Sequence, residues 1–139
     1  MIAVDTNVLI RLLVKDDAAQ NRIAEELFHT ASIFIGITVW LESFWVLRKV
    51  YRIPVPDILA QFRKLIAMPN VQTENFELVA LALSYTDRKI DLDDALHLAT
   101  AHRALGFATF DEDLIKRAKP LCKGVAKPNQ FFSRTAVKK

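Results

Sequence analysis

Glycine is scarce in this chain, three in 139 residues, and proline little commoner at five. That composition excludes low-complexity segments and long flexible linkers. A single cysteine, Cys122, rules out an internal disulfide and suits a reducing compartment. No apolar run reaches the ~20 residues needed to span a bilayer, and no basic-then-apolar leader is expected at the N-terminus. A cytoplasmic protein with no membrane partner is the expectation. What is abundant is apolar: 52% of the residues are hydrophobic. At this length one domain is expected over residues 1–139, burying roughly two thirds of its unfolded surface.

The net charge of +3 hides an asymmetry. Eight Lys or Arg and no acid follow Asp113, whereas residues 1–113 carry eleven bases against sixteen acids. A second basic group is Arg48, Lys49 and Arg52, then Arg63 and Lys64. Acidic residues flanked by basic surface suit a metal-using enzyme with a polyanionic substrate. From about residue 127 to 139 the chain reads as a basic tail, with Arg134, Lys138 and Lys139 merely solubilising.

Ile90–Leu114 organises the rest. It opens on Asp91, Asp93 and Asp94 and continues with Leu92, Ala95, Leu96, Leu98, Ala99, Ala101 and Leu105 at helical spacing. Gly106 reads as the C-cap. Phe107–Phe110 reads as a strand that ends in Asp111. These acids serve equally well as helix caps and dipole partners, and that reading stays open.

Upstream, Ile2-Ala3-Val4 has no alternation and suits a strand buried on both faces, ending in Asp5. Thr6 or Asn7 can cap the following helix, which leaves Asp5 without a local duty. Asp16-Asp17 starts a second helix to about His29, and Ser32–Ile35 is a second strand. Thr38–Tyr51 is helical and apolar on nearly every side, with Glu42 in its midst and no base one turn away. A lone carboxylate there is costly unless paired or coordinated. Asp57 starts a helix, Val71-Gln72 is a third strand, Glu74 to about Lys89 is helical, and Glu112–Lys119 is a short helix. An edge strand is expected near Val125. Short unalternating strands between helices predict an α/β domain with a parallel sheet.

Asp5, Glu42, Asp94 and Asp111 thus come from four distant segments. Hard oxygen donors without histidine or cysteine suit Mg²⁺ or Mn²⁺, as in phosphoryl-transfer and nuclease sites. No glycine-rich phosphate loop is present, and Ser43 lacks a nucleophile elbow.

Four segments carry a resemblance: Met1–Ile10 (MIAVDTNVLI), Trp40–Leu47 (WLESFWVL), Asp91–Leu96 (DLDDAL) and Thr109–Leu114 (TFDEDL). In this order they resemble the signature segments of PIN-domain nucleases, most nearly VapC-type toxins of toxin–antitoxin pairs. The resemblance implies a three-layer α/β/α sandwich around a short parallel sheet of four to five strands. It also implies a Mg²⁺- or Mn²⁺-dependent endoribonuclease, a homodimer and a cognate antitoxin protein. The family's acidic quartet carries over onto Asp5, Glu42, Asp94 and Asp111. Asp94 is preferred to Asp93 because it directly precedes Ala95-Leu96. Asp91, Thr109, Thr6 and Asn7 are accessory residues on this reading, and Arg48, Lys49, Lys116 and Lys119 are candidates for the RNA backbone. A PIN nuclease of RNA processing or DNA, and a non-catalytic binding module, are the competing readings.

Overall fold

Three short parallel strands frame the N-terminal part of the chain: β1 (Ile2–Ala3), β2 (Ile33–Ile35) and β3 (Val71–Thr73), in the order β1-β2-β3. The structure, a computed structural model, describes residues 1–132. Ile2 pairs with Ile33, and Ile33, Phe34 and Ile35 pair with Val71, Gln72 and Thr73. Central β2 buries Ile33 and Ile35 completely, whereas Ile2 on β1 is 48% exposed. The expectation of a first strand buried on both faces therefore fails: β1 is an edge of its sheet, and only Val4 just beyond it is buried.

Parallel neighbours require long crossovers, and helices supply them. From β1 to β2 the chain runs through α1 (Thr6–Leu13) and α2 (Ala18–Thr30); from β2 to β3 it runs through α3 (Ile37–Lys49) and α4 (Val55–Ile66). Trp40, Ser43, Phe44 and Leu47 are the buried side of α3, the three- and four-residue spacing of one helical stripe. Trp40 meets Phe62 of α4 edge-on, with ring centres 5.0 Å apart, and its Nε1 donates to Thr73 Oγ1 at 2.8 Å. Pro56 lies in the first turn of α4, where a missing N–H costs nothing, so the helix starts before Asp57.

The chain divides into two compact units, Met1–Val79 and Ala80–Lys139. The second begins within α5 (Phe76–Tyr85), followed by a 3₁₀ turn at Thr86–Arg88, α6 (Leu92–Thr100), β4 (Phe107–Ala108), α7 (Glu112–Ala118) and β5 (Val125–Ala126). β5 pairs with β4 in parallel. The α/β, PIN-like class with short parallel strands is borne out. One correction concerns the sheet: among the described residues the strands are hydrogen-bonded as a group of three and a group of two, where a single sheet of four to five strands was expected.

Two further expectations fail in the second unit. Helix α6 stops at Thr100 with Ala101 as its C-cap, so Leu105 falls outside it and stands fully exposed. Gly106 is needed for a different reason. An added Cβ would collide with the Phe131 ring and lie 2.9 Å from the Gly124 carbonyl oxygen, so the strand pair closes only around glycine. Near residue 127, where the basic tail is expected to begin, two local contacts are described. Lys127 Nζ donates to Glu112 Oε1 at 2.7 Å, and Pro128–Gln130 is a 3₁₀ turn. Arg134, Lys138 and Lys139 lie outside the described residues.

Candidate active site

In a parallel sheet the carboxyl ends of the strands are where ligands sit, and the first unit places an acid after β1 and another after β3. Asp5 follows β1 and, at φ −94° and ψ 179°, is the N-cap of α1. Its Oδ1 accepts the Val8 N–H at 3.1 Å. Asp5 therefore does have a local duty, which corrects the assignment of the cap to Thr6 or Asn7. Capping uses one oxygen; Oδ2 has no hydrogen bond among the described residues.

Released from capping, Thr6 donates from Oγ1 to Glu42 Oε1 at 3.4 Å, joining the end of β1 to the middle of α3. Glu42 itself is exposed, pointing away from the Trp40–Phe44–Leu47 stripe. The desolvation argument for Glu42 fails, because the side of the helix it shares with Trp45, itself 52% exposed, is open to solvent. Its claim on the site is now position alone.

The acid after β3 is Glu74, which sequence reasoning treated as a helix start. Its Oε1 accepts the Ile37 N–H at 3.0 Å, satisfying a donor at the first turn of α3 beside Gly36. The signal was present in the sequence: an acid directly after an apolar strand, as at Asp5.

In the second unit Asp91 occupies the N-cap position of α6, and Asp93 Oδ1 accepts the Asp94 N–H at 2.8 Å. Asp94 is half-buried. Burial pushes its carboxyl above the ordinary range, and the charges of Asp93, Asp111 and Asp91 push the same way against the pull of His97. Asp111 follows β4 and caps α7, with Oδ1 accepting from Leu114 N–H at 3.0 Å. Its own N–H donates to Thr109 Oγ1 at 3.0 Å.

The basic residues are less sharply placed. Arg48 lies over the Phe44 ring with its guanidinium carbon 6.0 Å from the centre, and Lys49 lies over Trp45 at 5.2 Å. Lys116 and Lys119 are exposed near the end of α7.

Among the described residues, no three His, Cys, Asp or Glu side chains form a ready-made metal cage. Taken singly, these carboxylates are donors of the kind a hard divalent ion takes. Mg²⁺ is commonly held by one or two carboxylates and completes its shell with water and substrate phosphate. Asp94, raised by burial and by neighbouring acids, is a place short of positive charge. Histidine and cysteine, which would favour zinc, are absent from the candidate set.

Residues 2–120 match the family model described as the PIN domain. Neither a curated protein nor a solved structure matches the chain. No helix among the described residues is long and apolar enough to cross a membrane.

Proposed function

Because this chain belongs to the PIN-domain family, a family of nucleases that typically use divalent metal, we propose that it is a metal-dependent endoribonuclease and the toxin of a toxin–antitoxin pair. The observation that carries the nuclease reading is the family match across residues 2–120. Asp5, Glu42, Asp94 and Asp111 are the proposed ligands of Mg²⁺ or Mn²⁺. Such an ion supplies a water of lowered pKa and neutralises charge on the phosphate.

The chain's own residues orient and hold. Thr109 fixes the backbone of Asp111, and Thr6 steadies Glu42. Val8 N–H holds one oxygen of Asp5 and leaves the other for the ion. Asp91 and Asn7 are accessory. Arg48, Lys49, Lys116 and Lys119 hold the RNA backbone by charge. Water attacks phosphorus, the bond to the 3′-oxygen breaks, and that oxygen leaves with a proton, giving 5′-phosphate and 3′-hydroxyl ends. A homodimer and a cognate antitoxin complete the proposal.

The test is cleavage of RNA in Mg²⁺ or Mn²⁺ and its loss on chelation. Asp5→Asn and Asp94→Ala should each lower turnover by orders of magnitude. Asp93→Ala should cost about 1 kcal/mol or less of helix-dipole support. Undiminished cleavage by Asp5→Asn would sink the metal-site reading. Growth arrest on induced expression, relieved by a neighbouring reading frame, tests the toxin role.

A further inference from the structure

Asp5 also forms one end of a cavity of about 500 Å³ between α1 and α2, whose lining includes Asn7, Arg11, Gln20, Ile23 and Leu27. That volume is within the ~300–1,000 Å³ usual for small-molecule sites. The whole cavity lies in the first unit.

Its polar wall is pre-set. Arg11 Nε donates to Gln20 Oε1 at 2.6 Å, and Arg11 Nη1 donates to Asp16 Oδ1 at 3.2 Å and to the Tyr51 hydroxyl at 3.4 Å. Tyr51 in turn donates to Asp16 Oδ2 at 3.0 Å. Buried Asn21 ties the two helices together through Nδ2, donating to the Arg11 carbonyl at 2.8 Å. The guanidinium is thus held from two sides, and Gln20 must turn its oxygen toward Arg11.

What remains for a ligand follows from that geometry. Arg11 Nη2, Gln20 Nε2 and the Asn7 amide have no partner among the described residues, so the wall offers mainly N–H donors. On the same stripe of α2 as Gln20, Ile23 (70% exposed) and Leu27 offer an apolar surface. A phosphate is disfavoured, since the Asp5 and Asp16 carboxylates stand near the same donors. A flat neutral group with carbonyl acceptors fits better. Unpaired bases in RNA are read in this way, by stacking and by hydrogen bonds to their edges.

Resting on the reading that Asp5 acts on RNA, we propose that this cavity is a base-specificity pocket, taking an unstacked carbonyl-bearing base (guanine, uracil or cytosine) next to the scissile phosphate. Adenine has no carbonyl and is discriminated against. Arg11 and Gln20 are the specificity-determining residues, and Ile23 is the stacking surface.

Two measurements test this separately from catalysis. In the first, ends produced from a random-sequence RNA are sequenced. The protein should prefer guanine, uracil or cytosine over adenine at one position beside the cut. Gln20→Leu should lower that preference roughly two- to tenfold, the scale of one hydrogen bond. In the second, the Ile23 methyl signal is followed by NMR as GMP, UMP or AMP is added; the three share a phosphate, so only the base differs. A saturable shift with GMP or UMP, several-fold weaker with AMP and weakened by Gln20→Leu, is expected. Ile23→Trp, at an exposed position that folding tolerates, should fill the pocket and flatten the base preference. Selective binding without any RNA cleavage would uphold the pocket and overturn the nuclease reading. Asp5-dependent cleavage with equal use of all bases, and equal shifts with the three nucleotides, would overturn the pocket alone. A cavity built to dock a protein segment would give that same second result.

Discussion

Thr109 Oγ1 accepts a hydrogen bond from the Asp111 N–H at 3.0 Å, while Asp111 Oδ1 accepts from Leu114 N–H at 3.0 Å. Asp111 is therefore held at its backbone by Thr109, just past β4, and at its carboxylate by the first turn of α7. Thr109→Val removes the acceptor and keeps the shape. It should cost about 0.5–1.5 kcal/mol of stability and lower cleavage several-fold, with Thr109→Ser restoring both. A Thr109→Val protein as active and as stable as the parent would show that the hydroxyl holds nothing in place.

Asp94 predicts a pH-dependent gain. Its carboxyl titrates above the ordinary value, by burial first and by Asp93, Asp111 and Asp91 next. A raised carboxyl favours folding while protonated, and that support is lost as pH rises through the folded-state value. At neutral pH the ionised group opposes the fold. In chelator, Asp94→Asn should raise the melting temperature by a few degrees at pH 7 and leave it unchanged well below pH 4. A gain of equal size at both pH values would trace the effect to something other than charge.

Ser43 is fully buried on α3, and its Oγ finds no hydrogen-bond partner among the described residues. An orphaned hydroxyl costs desolvation with no return, and alanine is also the better helix former. Ser43→Ala should therefore be neutral or stabilising by about 1 kcal/mol in denaturant unfolding. Destabilisation would reveal a partner for the hydroxyl.

Cys122 donates its thiol to the Ala118 carbonyl at 3.8 Å, and burial pushes its pKa up. Only the thiolate reacts with alkylating agents. Iodoacetamide near pH 7.5 should modify Cys122 more slowly than a free small thiol, and the two rates should converge in denaturant. Equal rates in the folded protein would contradict the burial.

Much of the architecture was legible locally. The short runs at Ile33–Ile35 and Val71–Thr73 are strands, and the stretch from Asp91 begins a helix with its acids in the first turn. The acids after β1 and β4 were legible too, because strand ends and caps are written in adjacent residues. Periodicity misled where packing decides. Leu105 has the right spacing for α6, yet the helix ends at Thr100, and Gly106 answers to Phe131 and Gly124 rather than to a helix end.

The sequence by itself determined the element types, the parallel α/β class and which acids stand at element ends. These depend on side-chain period, β-branching and capping chemistry, which act within a few residues. Only the tertiary structure decided what those acids touch. Thr6 meets Glu42 across 36 positions, and Glu74 meets the start of α3 across 37. The side of α3 that faces solvent, and with it the exposure of Glu42, was settled by Trp40 packing on Phe62 and Thr73. The walls of the Arg11 cavity were settled by the packing of α1 against α2. Such pairings come from the fit of whole faces, and no short window of residues encodes them.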